Sequence, residues 1–257
     1  MNIVVCLKQT FDTEAKIVLD SKGNIDGNGV NLIMNPYDEF AVEEALKLKE
    51  KFGGEVTLIS MGNERVQEAL RTALAMGCDK AVLVNDPALD SPDEWVTAEI
   101  LAKVASQMPY DIILAGRIAV DDGSSQVAVR LADALKIPSV SCILKLEVED
   151  NKATVTREID GGTEVIEVSL PAVLTAQKGL NVPRYPTMPG IMKAKKKEIK
   201  VLSLSDLGLN ASDLQRKMSI TKFSLPSPRK GGKQISGEAA DAARELARLL
   251  REEAKVI

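Results

Sequence analysis

The chain has 257 residues, 45% of them apolar and 27% charged, which suits one large α/β domain with additions. Its formal charge of −4 and 3% aromatic content argue against nucleic-acid binding, which needs an excess of cations and stacking surfaces. Histidine is absent altogether, so Ser-His-Asp catalysis, histidine-dependent metal sites and the usual side chain titrating near neutral pH are excluded.

The first apolar run, Ile3 to Leu7, is stopped by Lys8, too early for a signal-peptide core, and no later stretch approaches the roughly 18 apolar residues of a spanning helix. Export and membrane insertion are therefore not expected. Cys6, Cys78 and Cys142 stand far apart, each in or beside an apolar run and without a C-x-x-C pair, which fits a reducing cytoplasm.

Ile3 to Leu7, Glu55 to Ser60, Lys80 to Val84 and Ile112 to Ala115 read as short buried strands separated by segments with a period near 3.6. That alternation predicts a Rossmann-like open parallel sheet with covering helices. The first helix is framed by Asn35 as cap, Pro36 in the first turn and Gly53-Gly54 as the stop, with Glu43 and Lys47 as an i,i+4 pair. "ERVQEALRTALAMG" gives a second helix, and Leu101, Val104, Ala105 and Met108 mark a third. A fourth is expected from "GSSQVAVRLADAL", directly after Gly123.

Past Ser139 the pattern turns to strands alone: "CILKLEVE", "ATVTREI", a Gly161-Gly162 turn, "EVIEVSL" and "PAVLTA". The first three can run antiparallel as an appended β unit. "PRYPTMPGIMKAKKK", Pro183 to Lys197, places three prolines around an apolar tip at Met188 before a lysine cluster. "SLPSPRKGGK" then reads as linker, and the chain ends in an extended arm whose final helix lines up Ala239, Ala242, Ala243, Leu246, Leu249 and Leu250. That stripe packs either on its own domain or on a second subunit.

Nucleotides bind open α/β sheets at the carboxyl ends of strands, where helix N-termini and loop N–H groups face an anion. Neither G-x-G-x-x-G nor a P-loop occurs. What occurs is "AGRIAVDDGSSQVAV", in which a strand ends at Gly116 and passes Asp121-Asp122 into Gly123, Ser124, Ser125 and Gln126. Small residues and hydroxyls at a helix start hold a phosphate or, equally, merely cap the helix. "NPYD", Asn35 to Asp38, and "SMGN", Ser60 to Asn63, converge on the same edge as purine and ribose contacts or as plain cap and turn. No carboxylate pair, activated nucleophile or metal-ligand cluster has a recognisable spacing.

The assembled residues resemble the electron transfer flavoprotein β-subunit family. "VTREIDGGTEVIEVSLPAVLT" matches the family signature at Val155, Arg157, Asp160, Gly161, Gly162, Glu164, Ile166, Pro171 and Thr175. "NPYDEFAVEEALKLKE" with "RTALAMG", and "PRYPTMPGIMKAKKK", extend the likeness over nearly the whole chain.

The resemblance implies a heterodimer with an α subunit that holds most of the FAD site, while the β subunit buries a structural AMP. Such a carrier takes electrons from acyl-CoA dehydrogenase-type enzymes, as in fatty acid oxidation, to a membrane quinone-linked oxidoreductase. In electron-bifurcating members a second FAD replaces the AMP. A nucleotide hydrolase or ligase on the same sheet is the alternative of another class, although neither a triphosphate grip nor a metal site is visible.

Carried over motif to motif, the family's AMP contacts fall on Cys6, on Asn35, Pro36, Tyr37 and Asp38, and on Met61. They continue along Asp121, Asp122, Gly123, Ser124, Ser125, Gln126, Val127, Ala128, Val129, Arg130, Leu131 and Ala132. Backbone contacts are the expectation at Cys6, Asp38, Met61 and Gly123, whose side chains vary in the family. Thr10 to Thr13 align with the part that approaches the flavin ring, with Thr13 replacing an aromatic of some relatives. In the family the segment carrying Met188, Pro189, Ile191, Met192 and Lys193 is the recognition loop that inserts into the partner dehydrogenase. The lysines Lys193, Lys195, Lys196 and Lys197 either steer an acidic partner or form a solvated face. The implied division is an adenine-nucleotide-binding domain with its β-hairpin over 1–182, a recognition loop over 183–200 and an arm and helix packing on the α subunit over 201–257.

Overall fold

The computed structural model describes residues 1–89, 91–229 and 231–257. Asp90 and Lys230, the latter inside the predicted linker "SLPSPRKGGK", lie outside the described residues. Two compact units are present, one of residues 1–17 and 26–221, the other of residues 18–25 and 222–257.

The larger unit is built on one sheet. Its parallel strands are β1 (Asn2–Cys6), β4 (Glu55–Met61), β5 (Lys80–Val84), β6 (Ile112–Gly116), β10 (Val173–Ala176), β11 (Ile199–Leu202) and the start of β7 (Ser139–Glu149). The order is β11-β5-β4-β1-β6-β10-β7, continued antiparallel through β8 (Lys152–Ile159) and β9 (Gly162–Ser169). The predicted antiparallel unit is therefore an extension of the main sheet, joined to it through β7. Two short strands, β2 (Gln9–Phe11) and β3 (Leu32–Met34), form a separate antiparallel pair.

Helices cover both faces, which explains why the central strands read as continuous apolar runs. Ile3, Val5 and Leu7 pack with α1 (Pro36–Phe52) and α2 (Val66–Met76), whereas Val4 and Cys6 pack with α3 (Glu94–Ala105) and α4 (Val127–Leu135). The chain winds outward from β1 to β4 and β5, then returns to lay β6 on the other side of β1. The strand order reverses between β1 and β6, and a crevice at the carboxyl ends of such a pair is where open α/β sheets receive ligands.

Four local expectations change. Asn35 holds the N-cap position of α1 but makes no side-chain cap bond, because its amide is used across the crevice. Glu43 does not pair with Lys47: Glu43 is buried and bound to Arg184, and Lys47 turns to Glu44 at 3.2 Å. Helix α4 begins at Val127 rather than just after Gly123, since Gly123 (φ 68°) and Ser125 (φ 56°) take left-handed conformations that keep the chain out of a helix. The apolar tip at Met188 is not a loop but the first turn of a short helix, α5 (Met188–Ala194), capped by Thr187 Oγ1 accepting from Gly190 N–H at 3.1 Å.

The smaller unit contains a turn, where Leu19 and Ile25 bridge and Asp20 accepts from the N–H groups of Lys22 and Asn24, and helix α6 (Ala239–Glu252). On α6, Leu249 is buried and Leu246 is 48% exposed, so its apolar stripe is only partly covered.

Candidate functional site

Three segments meet where β1 and β6 end. The Asp38 carboxylate, in the first turn of α1, accepts from Lys8 N–H at 2.7 Å just past β1 and from Gly116 N–H at 3.0 Å at the end of β6. It also accepts from Asn35 Nδ2 at 2.9 Å. The Asn35 side chain, 1% exposed, crosses to the next loop, donating to Ile118 O and accepting from Val120 N–H. Burial pushes the Asp38 carboxyl up to about 7, against the opposing pull of its N–H donors. Gly116 has no room for a side chain, because an added Cβ would lie 2.3 Å from Asp38 Oδ1 and 2.8 Å from the Tyr37 carbonyl carbon.

Lys8 spans the same edge. Its Nζ lies 2.8 Å from Asp121 Oδ1 and 2.7 Å from Asp122 Oδ2. Desolvation lowers its pKa, yet the two carboxylates together hold it above the ordinary lysine value. Desolvation likewise raises Asp122, but the bonds from Lys8 and Ser124 N–H outweigh it and leave that group below its usual range. Cys6, just beneath, is pushed up to about 12 by burial first and Asp38 second. Its thiol stays protonated at neutral pH and is no nucleophile.

Beyond Asp122 the loop opens. A Cβ added to Gly123 would meet no atom within 4 Å. Helix α4 has no side-chain cap, since Gln126 Oε1 turns back to accept from Arg130 Nε at 3.0 Å and Nη2 at 2.7 Å. The leading N–H groups of α4 thus receive no side-chain acceptor, the condition under which a helix start meets an anion. Two buried polar atoms nearby have no hydrogen-bond partner: Thr10 Oγ1, on β2, and Arg117 Nε, whose guanidinium sits 5.4 Å from the Tyr37 ring centre.

A second surface lies on α5. Met188 is 73% exposed and Met192 59%, with Ile191 beside them and Pro189 and Lys193 also exposed. The backbone beneath is braced. Arg184 donates from N–H, Nε and Nη2 to the buried Glu43, and from Nη1 to Glu50 at 2.6 Å. Asn181 Nδ2 donates to Phe40 O and Glu44, Arg71 Nη1 donates to Ala194 O and Lys197 O, and Lys197 Nζ donates to Leu74 O and Cys78 O. Lys197 is thus committed to the end of α2, leaving Lys193, Lys195 and Lys196 as the exposed lysines of the cluster. Between α2 and α5 lies an open cavity of about 500 Å³, lined by Arg71, Thr72, Ala75, Pro186, Ile191, Ala194 and Lys195.

Residues 23–207 match the model of the electron transfer flavoprotein domain. The chain is 48% identical over 258 residues to the electron transfer flavoprotein subunit beta of Bacillus subtilis (strain 168), covering 100% of both. It is 46% identical to the protein of that name from Syntrophomonas wolfei, covering 100% of this chain and 98% of the relative, and 39% identical to that of Sus scrofa, covering 98% and 97%. The chain belongs to the electron transfer flavoprotein β-subunit family. It is a subunit of an electron carrier rather than a catalytic enzyme, which sets the hydrolase or ligase expectation aside. Among the described residues no helix is long and apolar enough to cross a membrane.

The residues matched to the family's AMP contacts are gathered at one sheet edge, though not all face outward. Asn35, Pro36, Tyr37 and Asp38 form the start of α1 beside β6, and Asp121 to Gln126 form the loop before α4. Val127, Ala128, Val129 and Arg130 make its first turn, while Leu131 and Ala132 are buried against the sheet. Cys6 is a core residue, and half-buried Met61 packs on the same core face at the end of β4. Sequence reasoning missed Lys8, Gly116, Arg184 and Arg71. Gly116 left a sequence signal, as a glycine closing an apolar strand, and Arg71 and Arg184 stand in the quoted motifs "RTALAMG" and "PRYPTMPGIMKAKKK".

Proposed function

We propose that this subunit pairs with an electron transfer flavoprotein α subunit, buries the adenylate of AMP at the β1–β6 switch point and presents α5 to the flavoenzyme that supplies electrons. FAD, mostly held by α, supplies the redox chemistry. This chain's part is to orient and to exclude water around the flavin edge, with Thr10 to Thr13 nearest the ring. Electrons come from acyl-CoA dehydrogenase-type flavoenzymes and leave to a membrane quinone-linked oxidoreductase.

The residues suit an adenylate. The uncapped start of α4 and the open space beside Gly123 offer N–H groups to a phosphate, and Tyr37, Pro36 and Met61 supply apolar surface for a base. The arm over 201–257 and the uncovered stripe of α6 suit packing on α, where Leu246 would be covered.

The observation that carries the docking role is Met188: a large apolar side chain, 73% exposed, on a backbone braced from three directions. Burying one such side chain contributes about 1.5–3 kcal/mol, enough to orient a transient complex without making it permanent. Bracing lowers the ordering cost of binding, and the flexible thioether adapts to several pockets.

Two measurements test this reading. Acid release from the purified heterodimer should give one FAD and one AMP, whereas two FAD would mark the bifurcating form. Met188→Glu should slow electron delivery from the dehydrogenase about tenfold or more at limiting carrier while leaving FAD content unchanged. Undiminished delivery would remove α5 from the interface.

A further inference from the structure

Lys8 is not among the residues matched to the family's adenylate contacts, yet the parts of the switch point meet on it. Its carbonyl accepts from Asn35 N–H at 2.9 Å, its N–H donates to Asp38, and its ammonium bridges Asp121 and Asp122. One residue therefore joins the end of β1, the start of α1 and the loop leading to α4.

The charges make this connection consequential. Asp121 and Asp122 directly precede the Gly123–Gln126 turn, so a nucleotide phosphate received at the start of α4 would stand close to two carboxylates. Like charges at such range oppose binding unless a cation faces them. Lys8 is the cation that the structure sets against both, and Asp122 in turn accepts from Ser124 N–H at 2.9 Å, fixing the turn itself.

We propose that Lys8 is a positioning residue for the adenylate phosphate: its ammonium, set against Asp121 and Asp122, offsets the carboxylate charge that a phosphate at the start of α4 would otherwise meet. This rests on the reading of that edge as an adenylate site. The side chains of the three residues are 34–43% exposed, so the ion pairs themselves add little to stability, and loss of Lys8 should register in anion binding instead.

The test uses the heterodimer with α, prepared as wild type, Lys8→Gln, Lys8→Arg and Lys8→Gln/Asp121→Asn. Each is dialysed to equilibrium against graded AMP, and bound AMP and FAD are counted in the same sample. Lys8→Gln should raise the AMP concentration for half-occupancy about tenfold or more with one FAD retained, and Lys8→Arg should stay within about threefold of wild type. Lys8→Gln/Asp121→Asn should recover much of the loss, because the charge facing the phosphate is restored.

Wild-type-like binding by Lys8→Gln overturns the inference and leaves the adenylate site intact. Loss that the second substitution does not relieve also overturns it, reducing Lys8 to a mechanical brace. If wild type carries a second FAD there, the same comparison is made on that FAD. If it carries neither nucleotide, the adenylate reading fails and takes this inference with it.

Discussion

Gly116→Ala probes the contact on which the candidate site is built. The difficulty is space, since Gly116 is not among the residues with left-handed backbone. The new methyl would lie 2.3 Å from Asp38 Oδ1 and 2.8 Å from both the carbonyl carbon and Cβ of Tyr37, all on the first turn of α1. Ordinary contact requires that turn to retreat by about 1 Å in a close-packed interior. The retreat separates Asp38 from the N–H groups of Lys8 and Gly116, now 2.7 and 3.0 Å away. Overpacking costs about 1–3 kcal/mol and each buried orphan donor about 1–3 kcal/mol. Some relaxation toward water at the rim leaves a net of roughly 3 kcal/mol. With a urea slope of about 2–3 kcal/mol/M, the unfolding midpoint should fall by about 1 M, and adenylate retention should fall with it. Gly162→Ala is the control, because a Cβ there meets nothing within 4 Å. Equal midpoints for Gly116→Ala and Gly162→Ala would refute the packing of α1 against β6.

Stability should fall as pH rises from about 4 to about 7. The buried Asp38 carboxyl titrates near 7 in the fold against an ordinary 3.8, so the folded chain holds a proton that the unfolded chain releases across that window. Glu39, raised by burial, acts in the same direction, while the lowered carboxylates oppose it only at the acid end, Asp12, Asp20, Asp86, Asp93, Asp122 and Asp206 below 3.8 and Glu50 and Glu245 below 4.5. Urea midpoints at pH 5 and pH 8 check this, and Asp38→Asn should flatten the slope. Arg184→Met strands a Glu43 side chain that is 7% exposed; because Arg184 itself is 35% exposed, the loss should be about 1–3 kcal/mol rather than the full cost of a buried pair. Urea denaturation should register it, limited proteolysis should show new cutting near 181–187, and Arg184→Lys should restore only part, having no planar fork.

What the sequence disclosed follows from the range over which each signal acts. Lys80 to Val84 was readable to the residue, because an inner parallel strand buried on both faces leaves an uninterrupted apolar run from Ala81 to Val84. Strands β2, β3 and β11 were not, being three or four residues long with mixed burial. The start of α4 was misplaced because a small polar turn and a helix cap share their residue types, and the left-handed Gly123 and Ser125 decide between them. Asn35 holds the expected position but a different role, since its amide serves Ile118 and Val120, 83 and 85 residues away. Lys8 was invisible for the same reason, because nothing local links it to Asp121 and Asp122, 113 and 114 positions on.

Helix α1 links the two candidate surfaces. Its N-cap Asn35 and first-turn Asp38 meet at the switch point, and its buried acids Glu43 and Glu44 hold Arg184 and Asn181 beneath the exposed methionines. A helix rises about 1.5 Å per residue, so the span from Asp38 to Glu43 is only about 7–8 Å, too short for the two ends to move independently. If α5 docks as proposed, any slack between Met188 and the flavin edge would cost ordering entropy at every encounter. Buried carboxylates on α1 fasten the segment beneath α5, and the same helix carries Asp38 at the proposed adenylate site, an arrangement that would remove that slack. It also makes a specific demand on Arg184→Met: electron delivery should suffer while FAD content holds, because the damage lies in where Met188 is presented and not in the flavin site.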